Sequence, residues 1–133
     1  MKNYQVDRLI EPAIALVEKY FGKEKPVPKG YESALASFGG TLIQSGPLPA
    51  CALYLKTSDS NIDKARLIRM LMELMKEQGG FSMVVLAEKS NDLMKQIIQE
   101  YNQNEELFKH RLVNATIALK LALRTFELTR EEA

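Results

Sequence analysis

Tryptophan is absent from this 133-residue chain, cysteine and histidine occur once each, and neither sign of charge dominates. The lone cysteine, Cys51, excludes an internal disulfide, so a reducing, cytoplasmic setting is expected. The lone histidine, His110, has Glu106 one helical turn before it, which is metal-ligand spacing. A di-metal bundle needs paired Glu-x-x-His motifs and further inward carboxylates, and the sequence lacks them, so His110 reads as a helix-surface residue and no metal is expected. With 18 Lys and Arg against 17 Asp and Glu, the chain is no coat for nucleic acid by bulk charge, although a local basic face stays open. No apolar run approaches the roughly 20 residues of a membrane span, so no membrane partner is expected. The opening segment MKNYQVDRLIEPAIALVEKYF is interrupted by Asp7, Arg8 and Glu11, which argues against a signal peptide.

Phosphate loops are missing too. Gly39-Gly40 and Gly79-Gly80 match neither G-x-x-x-x-G-K-[S/T] nor a strand-fed G-x-G-x-x-G. Cys51 lies in the apolar run PACALYL without a basic neighbour in sequence and reads as a buried small hydrophobe rather than a nucleophile. No catalytic constellation is visible, so binding rather than catalysis is expected, with no cofactor and no small-molecule substrate.

What the sequence does have is helical periodicity. Apolar residues make up 46% and charged residues 26% of the chain, ordinary values for one domain spanning residues 1–133. Val6, Leu9, Ile10, Ala13, Leu16, Val17 and Tyr20 recur at spacings of three and four, predicting a first helix over 3–21, with Pro12 as a kink or a true first turn. The segment GKEKPVPKG (22–30) reads as a loop. A second helix is expected over 31–44, where packing must offset Gly39-Gly40, and a stop and restart at Ser45-Gly46-Pro47-Leu48-Pro49, with Gly46 suited to the C-cap and Pro47 or Pro49 to the next first turn. A short apolar third helix over 50–56 follows. Ser60 or Asn61 is the expected cap of a fourth helix running to about Gln78. That helix is apolar on more than one side, so it is either central or pressed against a second partner. The run Phe81 to Leu86 reads as a helical turn, although a strand is open. A fifth helix is expected from Ser90 or Asn91 to Tyr101. The longest helix opens at Asn104, with Phe108, Leu112, Ala115, Leu119, Ala122 and Phe126 on one face. Residues 129–133 are expected to fray. The fold class is therefore all-α: a single-domain bundle of about five to seven helices.

Basic residues form the candidate binding set. Lys23, Lys25 and Lys29 share the first loop, Arg66 and Arg69 lie three apart on the fourth helix, and Lys120 and Arg124 lie four apart on the last. Such pairs suit phosphate oxygens, although solvated charge is the ordinary reading of any one of them. Tyr4, Tyr20, Tyr31, Tyr54 and Tyr101 can stack bases, but half-buried core is the commoner fate of tyrosine.

One stretch has a family likeness. Tyr31, then Leu42-Ile43-Gln44-Ser45-Gly46, Leu48 and Ala50-Cys51-Ala52-Leu53-Tyr54-Leu55, together with Ala118-Leu119-Lys120-Leu121-Ala122, resembles the small helical subunit of type III-B (Cmr) CRISPR effector complexes over about residues 3–128. Pro47 intervenes between Gly46 and Leu48, and no Lys or Arg occurs from Tyr31 to Pro49. The resemblance implies a non-catalytic structural subunit of an RNA-guided antiviral complex. Its expected partners are other Cmr subunits, copies of itself, and guide and target RNA held without regard to sequence. Of the basic set, Lys120 matches a family position, and Arg124 follows on the same face. The competing readings are a helical protein–protein adaptor, or a helix-turn-helix DNA regulator using Arg66 and Arg69.

Overall fold

A computed structural model describes residues 4–23, 25–56, 63–78, 90–126 and 128–129. Among these residues the chain forms six helices: α1 (Tyr4–Phe21), α2 (Lys29–Ser45), α3 (Pro47–Leu55), α4 (Lys64–Glu77), α5 (Ser90–Gln103) and α6 (Glu105–Leu123). Two two-residue strands, β1 (Val27–Pro28) and β2 (Leu128–Thr129), pair in parallel, Val27 with Leu128 and Pro28 with Thr129. The molecule is an all-α bundle, as the periodicity predicts, and no described helix is long and apolar enough to cross a membrane.

The longest helix organises the core. α6 packs most extensively along α1 and also touches α4, α2 and α5, while α3 bridges α2, α4 and α5. Its buried residues Phe108, Leu112, Ala115, Leu119 and Ala122 are the stripe of fours and threes visible in sequence. Asn104 caps it, its side chain accepting from the Leu107 N–H at 3.1 Å, with Glu105 and Glu106 in the positive first turn. Phe126 falls beyond the helix end and packs against the core part-buried.

α4 settles the alternative left open by its double-sided pattern. Leu67, Ile68, Met70, Leu71, Met72, Leu74 and Met75 are all buried by the protein's own helices. The second apolar side is covered from within, so it offers no surface to an outside partner.

Several boundaries differ from expectation for local reasons. Pro12 sits inside α1, not at its first turn: it removes one main-chain bond, but Leu9, Ala13 and Leu16 are buried on both sides of it and hold the helix. The expected loop over 22–30 is shorter. Val27 and Pro28 pair with the C-terminal segment, and Lys29 and Gly30 already belong to α2. Proline suits a position just before a helix, where its missing N–H has no helical partner to lose. α3 starts at Pro47, one of the two prolines suited to its first turn and three residues ahead of the expected Ala50, and Gly46 makes the turn at φ +91°. Asp63, not Ser60 or Asn61, caps α4, accepting from the Arg66 N–H at 3.2 Å; residues 60 and 61 lie outside the described residues, as does the run 81–86. α5 extends to Gln103. The tail expected to fray from Thr129 begins with Thr129 paired, and 130–133 lie outside the described residues. Finally, packing does not offset Gly39-Gly40. A Cβ at Gly40 would meet nothing within 4 Å, and one at Gly39 only Thr116 at 4.0 Å.

Candidate nucleic-acid interface

The basic residues picked out along the sequence come from three remote segments, and the fold carries all three to one end of the bundle. α1 ends there at Phe21. Gly22 then turns the chain at φ +104°, its N–H bonded to the Glu18 carbonyl and its carbonyl accepting from the Lys25 N–H. This conformation favours glycine, and the Lys25 stem folds back over the turn so closely that a Cβ at Gly22 would lie 2.7 Å from Lys25 Cδ. Lys23 and Lys25 are exposed on this turn, and Lys29 is exposed at the first residue of α2.

The N-terminus of α4 is fastened to the same corner. The Phe21 and Tyr31 rings meet edge to face at 4.7 Å, and the Arg66 guanidinium lies over both, 5.2 Å and 5.9 Å from their centroids. The Tyr31 hydroxyl accepts from the Asp63 N–H at 3.1 Å. Lys64, not singled out by the sequence, joins the group with its ammonium 5.2 Å from the Tyr54 ring centroid. The signal that could have found it was the absence of any acidic residue in the first turn of α4.

The end of α6 arrives by two ties. One is the β1–β2 pairing, and the other is the approach of Arg124 Nε to Glu32 Oε2 at 4.0 Å. Lys120 lies one turn earlier and is part-buried. Arg124 is more than half exposed, so its contact with Glu32 is a solvent-screened pair at the limit of range and contributes ~0–1 kcal/mol. Arg124 therefore stays available to another anion.

The electrostatics of this end come from side chains rather than backbone. α2 and α4 begin here while α1 and α6 end here, so their dipoles largely cancel. The described carboxylates of this corner are Glu32, near Arg124, Asp63, which caps α4, and Glu73. Glu73 is engaged inward: it pairs with Lys19 at 3.0 Å and accepts from the Tyr20 hydroxyl. Burial first, and then Glu73, push the Tyr20 pKa upward, so its hydroxyl stays protonated as that donor.

The basic residues are not equivalent. The three loop lysines are exposed, whereas Arg66 is part-buried and committed to two rings. Arg69 reaches the same side of α4, near enough to Tyr20 to act on its charge. The tyrosines are mostly core. Tyr31 and Tyr54 are buried, the Tyr54 hydroxyl donates to the Ala34 carbonyl at 2.7 Å, and Tyr101 meets Phe108 edge to face at 5.7 Å. The Tyr4 side chain lies outside the described part of the structure. Cys51 is fully buried and its thiol is pushed up to about 12 by burial, so it stays an unreactive thiol at neutral pH. His110 is exposed and donates through Nε2 to Gln5 Oε1 at 2.8 Å.

No protein-family model, no curated protein and no solved structure matches this chain.

Proposed function

We propose that this chain is a non-catalytic structural subunit of an RNA-containing assembly, touching RNA backbone without regard to sequence through the basic end of the bundle. The observation that carries this reading is the convergence of residues 23–29, 64–69 and 120–124 on one corner. Flexible lysines around partly fixed arginines suit phosphate contacts, which set affinity and register without reading base edges. The narrower form of the proposal is a subunit of a type III-B (Cmr) complex, stacked in copies along guide and target RNA. It rests on the sequence likeness described above.

A protein–protein adaptor is the second reading. The side of α4 that suggested it is covered, but Ile43 and Leu53 are 80% and 58% exposed on α2 and α3. That pair also suits contact between copies.

The test is binding of labelled single-stranded RNA over a salt series, with duplex DNA in parallel. The variant Lys23→Glu, Lys25→Glu, Lys29→Glu should weaken RNA binding by about tenfold or more and flatten its salt dependence, since each phosphate contact contributes a slope near 0.7 for single strands. Affinity that ignores both salt and this variant would sink the RNA reading. The narrower form is tested by recovering the tagged protein from its native cells: it requires repeat-derived guide RNA and other effector subunits in the eluate.

A further inference from the structure

The opposite ends of α1 and α4 frame a cleft of about 380 Å³, lined by Arg8, Leu9 and Pro12 of α1, by Gln78 at the end of α4 and by Arg111 of α6. We infer that this cleft binds a small molecule through an oxyanion group, a carboxylate or a phosphate, held by Arg111 and Arg8. Its volume lies in the range of small-ligand pockets.

The argument starts from the way Arg111 is held. Its Nη1 donates to the Gln78 carbonyl at 2.7 Å, and the Gln78 side-chain amide donates back to the Arg111 carbonyl at 2.8 Å. This reciprocal pair fixes the guanidinium plane against the end of α4. Arg111 Nε is buried without a hydrogen-bond partner among the described residues. Nε–H and the neighbouring Nη2–H form the side-on face of a guanidinium, whose spacing matches two oxygens of one carboxylate or phosphate.

The surroundings agree in sign and type. Arg8 lines the same cleft with no ion pair among the described residues, and arginine stays charged at any physiological pH. Glu77 is the one carboxylate of the lining among the described residues, so the described cations outnumber anions there. Gln78 Oε1 is a second buried atom with no partner among the described residues, an acceptor waiting on a donor beside the oxyanion. Pro12 brings no N–H to the Arg8 carbonyl, which adds another acceptor on that turn. A small acid with an amino, amide or hydroxyl group next to its oxyanion satisfies both. Gln5, also in the lining, accepts through Oε1 from Asn114 Nδ2 at 2.6 Å and from His110.

The site is separate from the basic corner, because the cleft uses the start of α1 and the end of α4 while the corner uses the reverse. The Arg111 Nε is buried, so a polyanion lying across the surface does not meet it.

The experiment follows the Arg111 Nε–Hε resonance by ¹⁵N NMR while inorganic phosphate, and separately acetate, is added to the full chain at constant ionic strength. A saturable shift with at least one probe, absent with chloride, is expected. Arg8→Gln, which breaks no hydrogen bond among the described residues, should weaken the response about tenfold, equivalent to ~1.4 kcal/mol. The lysine-reversed loop variant should leave it unchanged. No saturable shift with either probe, or a shift equal in Arg8→Gln, overturns the assignment. So does an RNA oligonucleotide that shifts the same resonance and competes with phosphate, because the oxyanion would then belong to RNA and not to a small molecule.

Discussion

The Tyr31 hydroxyl accepts a hydrogen bond from the Asp63 N–H, and the Tyr31 ring carries the guanidinium of Arg66, the residue whose own N–H Asp63 caps. One side chain at the start of α2 thus fixes both the first turn of α4 and the direction of its first arginine. The basic corner is built on that relationship.

Tyr31→Phe removes the acceptor and keeps the ring. The expected loss is about 1 kcal/mol of stability, the net value of one hydrogen bond, read from the urea midpoint. Lys25→Glu should weaken RNA binding more than Tyr31→Phe does, because the ring still supports Arg66.

Arg66 and Lys25 separate a supporting role from a purely electrostatic one. Arg66→Gln loses its contacts with Phe21 and Tyr31, at about 0.5–1 kcal/mol for a partly exposed cation over aromatic rings. It should therefore lower both stability and RNA affinity. Lys25→Gln should lower affinity alone, within about 0.5 kcal/mol of the parent in stability. Parallel urea and RNA titrations of the two variants check this.

Glycine positions give opposite signs in one molecule. Gly22→Ala must hold φ +104° with a Cβ 2.7 Å from the Lys25 stem. It should cost about 1 kcal/mol or more. Gly40→Ala meets nothing within 4 Å inside α2 and should stabilise by about 0.5–1 kcal/mol through helix propensity. Thermal unfolding of both variants decides; a destabilised Gly40→Ala would contradict the open surroundings of that site.

Cys51 sets an alkaline limit. Its thiol pKa rises from 9.0 to about 12 on folding through burial. Above pH 9 the unfolded chain releases a proton that the folded chain keeps. This contribution is therefore complete below pH 9 and is lost as pH rises toward 12, at about 1.4 kcal/mol per pH unit from this group. Tyr20 adds a loss of the same sign starting above its ordinary value of 10.0. Urea midpoints from pH 7 to 10.5 should be flat and then fall, with Cys51→Ala removing the part that begins at pH 9. Native Cys51 should resist a thiol reagent at pH 8 until the protein is unfolded.

Much of the architecture is written in local pattern. The stripes of α1 and α6, the Asn104 cap, the Gly46 stop and the buried character of Cys51 follow from spacing and residue type, because periodicity and capping depend on neighbours within a turn or two. The boundaries at Lys29 and Thr129 escaped because a two-residue parallel pairing joins segments a hundred residues apart, and no local signal encodes its partner. The basic residues could be named from sequence, but whether Lys25, Arg66 and Arg124 share a surface depends on where three helices end relative to one another. Only packing decides that. The same holds for the closed second side of α4, which one helix in isolation shows as apolar and the bundle shows as core, and for the cleft, whose arginines Arg8 and Arg111 come from opposite ends of the chain. By itself the sequence determined which faces must be buried, since burial is a property of each helix; the tertiary structure decided which faces meet and which charges are left together at the ends, since that is a property of the helices jointly.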